Sequence, residues 1–198
     1  MGKVTEMIFR RLSVLAVLVA GLLGVVTASA GAAAAAAYND ADVEFTNMMI
    51  PHHYQALVLC DLVPTRSSDA ELESLASRIR LEQSLEIGTM RGWQGSNGLP
   101  KTDPAASYQE MLADPEMVAA MGMATPEELA ELESLSGNDF DVLFLNVMIK
   151  HHEGAIRMLQ DVLLNGQNLD LQQQAQDMMS TQRAQVAIMQ DMLSTKTA

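Results

Sequence analysis

Laid over itself at an offset of ninety-nine residues, the chain repeats: Asp42 to Met90 matches Asp141 to Met189 without a gap, with fourteen identities in forty-nine positions. The shared residues are Asp42, Val43, Phe45, Asn47, Met49, Ile50, His52, His53, Ala56, Val63, Leu72, Ala76, Gln83 and Met90. Eight of the fourteen lie between residues 42 and 53, a concentration that shared composition does not produce. The fold must therefore be one that two copies of a single supersecondary unit can build. All four histidines of the chain fall in the repeat, as doublets at the same point of each copy: His52-His53 and His151-His152.

The unit reads as a helical hairpin. Phe45, Met48, Met49, His52, Ala56, Leu59, Cys60 and Val63 recur at steps of three and four, and Pro64 is expected to stop this first helix. Ser68 and Glu71 form a capping-box pattern ahead of Leu72, Leu75, Ala76, Ile79, Gln83, Glu86, Ile87 and Met90, which describe a partner helix ending near Trp93. In the second copy Asn138 or Asp139 caps a helix to about Leu164, Gly166 breaks it, and a partner runs from about Leu169 to Leu193. Pro51 falls inside the first helical pattern, where the second copy has Lys150. It removes a backbone donor and predicts a kink or a fresh helix start just before the first doublet. Strand signals are weak throughout, because aromatics are scarce and β-branched residues do not cluster in alternating runs outside the N-terminal apolar run. The expected fold is all-α: a four-helix bundle of two duplicated hairpins, repeats at about 42–93 and 141–192, each hairpin burying an apolar face it cannot cover alone. The linker, 94–140, carries a short helix over Tyr108 to Met121 and another capped by Thr125-Pro126-Glu127-Glu128.

The N-terminus has the order of a secretory signal. Lys3, Arg10 and Arg11 precede an apolar run from Leu12 to Val26, and Ala28-Ser29-Ala30 offers a cleavage site, so residues 1–30 are expected to be removed. Left uncleaved, the run and the Ala-rich segment 31–40 make an N-terminal membrane anchor. No cysteine stands at the end of the run, where a lipoprotein would need one. Without Lys3, Arg10, Arg11 and Glu6, the twelve basic and twenty-five acidic residues become nine and twenty-four, a formal charge of −15. Such a surface repels nucleic acid and anionic lipid and suits a secreted or periplasmic protein with no membrane contact after cleavage. Cys60, the only cysteine, forms no intrachain disulfide and reads as a small buried hydrophobe.

On a helix Met49 stands three residues before His52 and four before His53, and Met148 repeats this before His151 and His152. Met48 adds a sulfur, and on the partner helices Gln83, Glu86 and Met90 are matched by Gln182, Gln185 and Met189. Thioethers select Cu(I), while imidazole serves both copper states and zinc, so mixed His and Met donors outside the cytoplasm point to copper. Cu(I) is favoured over Cu(II) and Zn(II). The candidate ligands are His52, His53, His151, His152, Met49 and Met148, followed by Met90 and Met189. The competing reading makes the methionines core filler, and in each doublet sends one ring into the core while its neighbour, 100° away, caps, hydrogen-bonds or meets solvent.

Other chemistries fail on particular residues. No glutamate stands three before any histidine, as a di-iron bundle requires. The metalloprotease His-Glu-x-x-His helix, a Gly-rich phosphate loop and a Gly-x-Ser-x-Gly elbow are all missing. Catalysis has no support in the sequence, and a metal-dependent oxidase or reductase stays open only through copper's redox couple.

The motif Met49-Ile50-Pro51-His52-His53 with Ala56, then Gln83, Glu86-Ile87 and Met90, resembles the signature of the domain-of-unknown-function 305 family. The second copy, with Phe144-Leu145, Met148-Ile149, His151-His152-Glu153-Gly154-Ala155-Ile156 and Met158, resembles it more closely. Over residues 40–193 the resemblance implies a ferritin-like, extracytoplasmic fold associated with copper binding and tolerance. Two departures stand out: Gln185-Val186 replaces the family's Glu-Ile, and Tyr54 and Leu57 to Cys60 differ around the first doublet. The expected function is copper sequestration or transfer, handing metal to a copper-handling partner protein. The alternative is a secreted helical interaction module with structural histidines and no metal.

Overall fold

A computed structural model describes residues 38–197. The expected signal peptide, 1–30, and all of the Ala-rich segment before Tyr38 lie outside the described residues. Among the described residues seven helices follow in order: α1 Asp40–Arg66, α2 Ala70–Ser96, α3 Pro104–Leu112, α4 Pro115–Ala120, α5 Pro126–Ser134, α6 Gly137–Asn165 and α7 Leu169–Lys196. No strand occurs among the described residues. The four long helices form the two expected hairpins, α1–α2 and α6–α7, and α1 packs on α6 at the centre.

Several boundaries differ from the sequence reading. Pro64 does not end α1, which continues to Arg66. A proline in the last turn removes a single bond, and the Ser67 amide still reaches the Val63 carbonyl at 2.9 Å. Nor does Pro51 start a new helix, because α1 runs unbroken through it. Buried packing on this stretch offsets a penalty of about 3 kcal/mol for an interior proline. The cap of α2 is Asp69, whose carboxylate takes the Glu71 and Leu72 amides at 2.8 and 3.0 Å, rather than Ser68. Asn138 and Asp139 lie inside α6, which starts after Ser136. The single helix expected over Tyr108 to Met121 is two, α3 and α4, because Asp114-Pro115 caps and begins a new helix.

Antiparallel crossing of α1 and α6 divides the core in two. One apolar half joins the end of α1 to the start of α6: Leu59 and Val63 with Phe140 and Phe144, beside Leu72 and Ile79 of α2. The other joins the start of α1 to the end of α6: Phe45 and Ile50 with Leu159 and Val162, beside Leu171 and Ala175 of α7. The duplicated Asp42 and Asp141 brace these two ends. Asp42 Oδ2 accepts the backbone amides of Gln167 and Asn168, both at 3.0 Å, and so clasps the α6–α7 turn. Asp141 instead takes Lys196 at 2.8 Å, and Lys196 also bridges to Asp69 beside the α1–α2 turn at 2.6 Å.

The linker breaks the two-fold pattern. Residues 121–124 lie against α1 and α6 midway along the bundle, and Gln55 holds the Ala124 backbone by both its amide (2.9 Å) and its carbonyl (2.7 Å). The residue equivalent to Gln55 in the second copy is Gly154, where a Cβ would run into the Met121 carbonyl. Gly122, at φ 68°, turns the chain over the Lys150 carbonyl. Capping-box Glu128 of α5 then receives Lys150 Nζ at 2.6 Å.

Gly154→Ala is therefore expected to lower stability by about 1–3 kcal/mol, the usual effect of overpacking. Gly88→Ala and Gly92→Ala, where a Cβ meets nothing within 4 Å, are expected to raise it by up to about 1 kcal/mol. Urea unfolding of the three variants checks this contrast, and equal effects would contradict the packing assigned to Gly154.

Candidate metal centre

Between the two apolar halves lies one layer of polar side chains, to which every long helix contributes. On α1 the fully buried apolar residues stop at Ile50 and resume at Ala56; on α6 they stop at Met148 and resume at Ala155. His52, His53, His151 and His152 fill those gaps. On α2, Gln83 and Glu86 stand between Ile79 and Ile87, and on α7, Gln182 and Gln185 stand between Met178 and Met189.

All four imidazoles are 0 % exposed. None meets solvent, because the 100° step between neighbours sends one ring of each doublet across the α1–α6 interface and the other toward its hairpin partner. His52 and His151 meet ring to ring, centroids 3.7 Å apart and planes 28° from parallel. His53 Nε2 donates to Glu86 at 2.8 Å, and His152 Nε2 donates to the Gln185 carbonyl at 2.8 Å. Gln185 is oriented by its own amide, which reaches Glu82 of the other hairpin at 2.6 Å. The carboxylate missing at position 185 is thus supplied one bond further away, from the first half.

The stacked pair is anchored by backbone. His52 Nε2 donates to the Met121 carbonyl at 3.1 Å, and His151 Nε2 donates to the His52 carbonyl at 2.9 Å. Each of the four partners is an acceptor, which assigns the ring proton to Nε2 in every case. In a neutral ring Nδ1 then carries a free lone pair, and all four buried Nδ1 atoms lack a partner in good hydrogen-bond geometry, His152 alone having a backbone carbonyl, that of Met148, close enough to counter part of the effect of burial. Neither do the amide nitrogen and oxygen of Gln83 and Gln182, both 2 % exposed. Buried polar atoms are normally paired, so unpaired ones concentrated in a single layer mark it as built for something other than packing.

Burial holds His52, His151 and His152 uncharged. Desolvation, reinforced by the adjacent His53, pushes His52 well below the ordinary histidine range; desolvation and the facing His52 do the same to His151. His152 falls to about 4, chiefly by burial, with the Gln185 bond opposing. Burial raises the Cys60 thiol to about 12, which fits its reading as an inert core residue.

The candidate thioethers are all 0 % exposed. Met49 and Met90 pack together in one apolar half, Met148 and Met189 in the other, so each pair abuts the histidine layer from its own side. Among the described residues no three His, Cys, Asp or Glu side chains surround a point fit for a cation. A centre here has to draw on thioether sulfur or amide oxygen as well as imidazole. The donor set fits a soft ion: uncharged nitrogen and sulfur, with ring N–H groups fixed by carbonyl and carboxylate in the way that orients metal-ligating histidines.

Sequence reasoning left Gln83, Gln182, Glu82, Glu86 and Gln185 out of the candidate set. Gln83 and Gln182 were visible as identities of the repeat at helical spacing from Met90 and Met189. Nothing in the sequence marked the Met121 carbonyl, because the linker has no counterpart in either copy.

The family model described as "Domain of unknown function (DUF305)" matches residues 42–193. Among solved structures, a DUF305 fragment from Deinococcus radiodurans is 31 % identical, with a TM-score of 0.70 over 79 % of this chain and 97 % of that one. A DUF305 protein from Streptomyces coelicolor, described as a candidate secreted protein, is 29 % identical, with a TM-score of 0.67 over 80 % and 94 %. CopM in its Cu(II)-bound form is 25 % identical, with a TM-score of 0.66 over 78 % and 96 %. No curated protein matches the chain.

A histidine whose folded pKa lies below its unfolded one leaves the unfolded chain with more bound protons, so stability is lost as pH falls from about 6.5 toward the folded value. For His52, His151 and His152 the loss is about 1.4 kcal/mol per ring per pH unit inside that window, which for His152 closes near pH 4. Urea unfolding of the metal-free protein at pH 7.5 and 5.0 is expected to show a drop of several kcal/mol, with about two to three protons taken up on unfolding at pH 5.0. A stability that is flat over this range would contradict buried neutral rings.

Proposed function

The chain belongs to the DUF305 family, and from that membership and the buried histidine layer we propose that it is an extracytoplasmic copper-binding protein that sequesters the metal or passes it on. The observation that carries the reading is the set of four buried Nδ1 atoms without partners, on rings whose Nε2–H groups are already anchored. His52, His53, His151 and His152 supply nitrogen. Met49 and Met148, then Met90 and Met189, supply sulfur, and the Gln83 and Gln182 carbonyls are in the same layer to complete a shell. Copper-bound CopM, similar over most of its length, supports the choice of metal. Uncharged His and Met donors in a dry site favour Cu(I) over Cu(II) and Zn(II), because no ligand must surrender a charge or a hydration shell to take a monovalent soft ion.

The role is one of binding rather than catalysis. Among the described residues no helix is long and apolar enough to cross a membrane. Release by signal cleavage and delivery of the cargo to a copper-handling protein complete the proposed role.

Competition titration with a Cu(I) chelator tests the proposal. Replacing all four histidines by alanine is expected to weaken Cu(I) at least about a hundredfold, two tenfold steps of 1.4 kcal/mol each. Cu(I) should also raise thermal stability, by about 2.7 kcal/mol at a hundredfold excess over Kd. Unchanged affinity in the histidine variant would reject these ligands. No thermal shift with Cu(I), Cu(II) or Zn(II) would instead favour the interaction module with structural histidines. Elemental analysis of protein taken from its native compartment identifies the resident metal.

A further inference from the structure

Six of the nine described methionines that are not candidate ligands gather on the linker face. Met111, Met121 and Met123 form a small cluster with Tyr108 and Val118, and Met48, Met117 and Met158 pack against it. Two surface cavities open there. One, of about 430 Å³, is lined by Met48, Met111 and Met117 together with Asn47, Glu110 and Asp114. The other, of about 360 Å³, is lined by Met48, Met121 and Met158.

These residues differ from the candidate ligands of the core in one respect that matters. Met49, Met90, Met148 and Met189 are sealed from solvent, whereas Met48 and Met117 are partly exposed on the wall of an open cavity. Methionine as gap filler belongs in irregular, closed interiors. Three sulfurs around an open cavity with no histidine or cysteine make a different donor set. Thioethers are neutral and soft, so they bind monovalent Cu(I) or Ag(I) and discriminate against Zn(II) and Cu(II), which need nitrogen, oxygen or thiolate. Glu110 and Asp114 on the rim outnumber Lys101 and bias the opening toward cations.

We propose that Met48, Met111 and Met117 form a second, thioether-only site for a monovalent soft metal ion on the surface of the linker. It is distinct from the histidine layer yet adjoins it. Met48 precedes Met49 in the chain, and Met121, in the neighbouring cavity, gives its carbonyl to His52. The inference does not depend on the histidine site, since its ligands, its exposure and its selectivity are separate.

Silver is the probe, because Ag(I) mimics Cu(I) and does not change oxidation state. With the four histidines replaced by glutamine in the full chain, Ag(I) titration is expected to leave one bound ion, whose X-ray absorption shows sulfur neighbours alone. Adding Met48→Leu, Met111→Leu and Met117→Leu, swaps of similar volume that cores tolerate, should remove that ion. The same three substitutions in the parent should lower silver stoichiometry by one and leave Cu(II) binding unchanged. Should the triple variant unfold, Met117→Leu alone, at a partly exposed position, is expected to weaken the sulfur-only ion about tenfold. No silver in the histidine variant, or silver binding indifferent to the leucine substitutions, would overturn the proposal. Either result leaves the histidine reading to its own Cu(I) titration.

Discussion

Two imidazole rings packed face to face in a dry interior are compatible only while both are uncharged, and the rest of the bundle is arranged around that condition. His52 and His151 meet where α1 crosses α6, each ring's N–H taken by a backbone carbonyl, so crossing point and tautomer are set together. A one-turn slip of α1 on α6 would strand both N–H groups in an apolar environment, at about 1–3 kcal/mol for each unsatisfied group. Asp42 and Asp141, bracing the two ends of the same helix pair, resist that slip from outside.

The layer is poorly suited to stability alone. Eight buried atoms, the four Nδ1 and the amide groups of Gln83 and Gln182, lack partners, where a bundle of this size could have been filled with leucine. Violations of polar satisfaction tend to cluster where a protein does something besides fold. Here they fall between the two apolar halves, come from every long helix, and are flanked on each side by two buried thioethers. The same layer that weakens the core against acid holds the donors proposed for a soft metal.

The fold was legible because duplication made every periodic argument twice. Two hairpins built from four long helices followed from the spacing of apolar residues, and the doublets marked the centre of each copy. What escaped was set by context. Pro64 looks like a stop in a local window and is tolerated because it falls in a last turn. Ser68 satisfies a capping pattern that Asp69 fulfils better by one residue. Both rings of a doublet turned out to be buried, because each first helix is covered on two faces, which depends on how hairpins dock and not on the pattern within either. Asymmetry was the least visible part: Pro51 against Lys150 could be seen, but Gln55 against Gly154 gained meaning only with the linker seated between them.

The central claim is that folding fixes the ring proton on Nε2 and leaves Nδ1 bare for a metal. Long-range nitrogen–proton NMR of the histidine rings, recorded on metal-free protein near neutral pH and again with Cu(I), reads both nitrogens directly. The account predicts that His52, His151 and His152 are neutral Nε2–H tautomers in the metal-free state, and that copper shifts their Nδ1 resonances while the Nε2–H signals persist. Rings protonated on both nitrogens, or copper-induced shifts confined to Nε2, would contradict it.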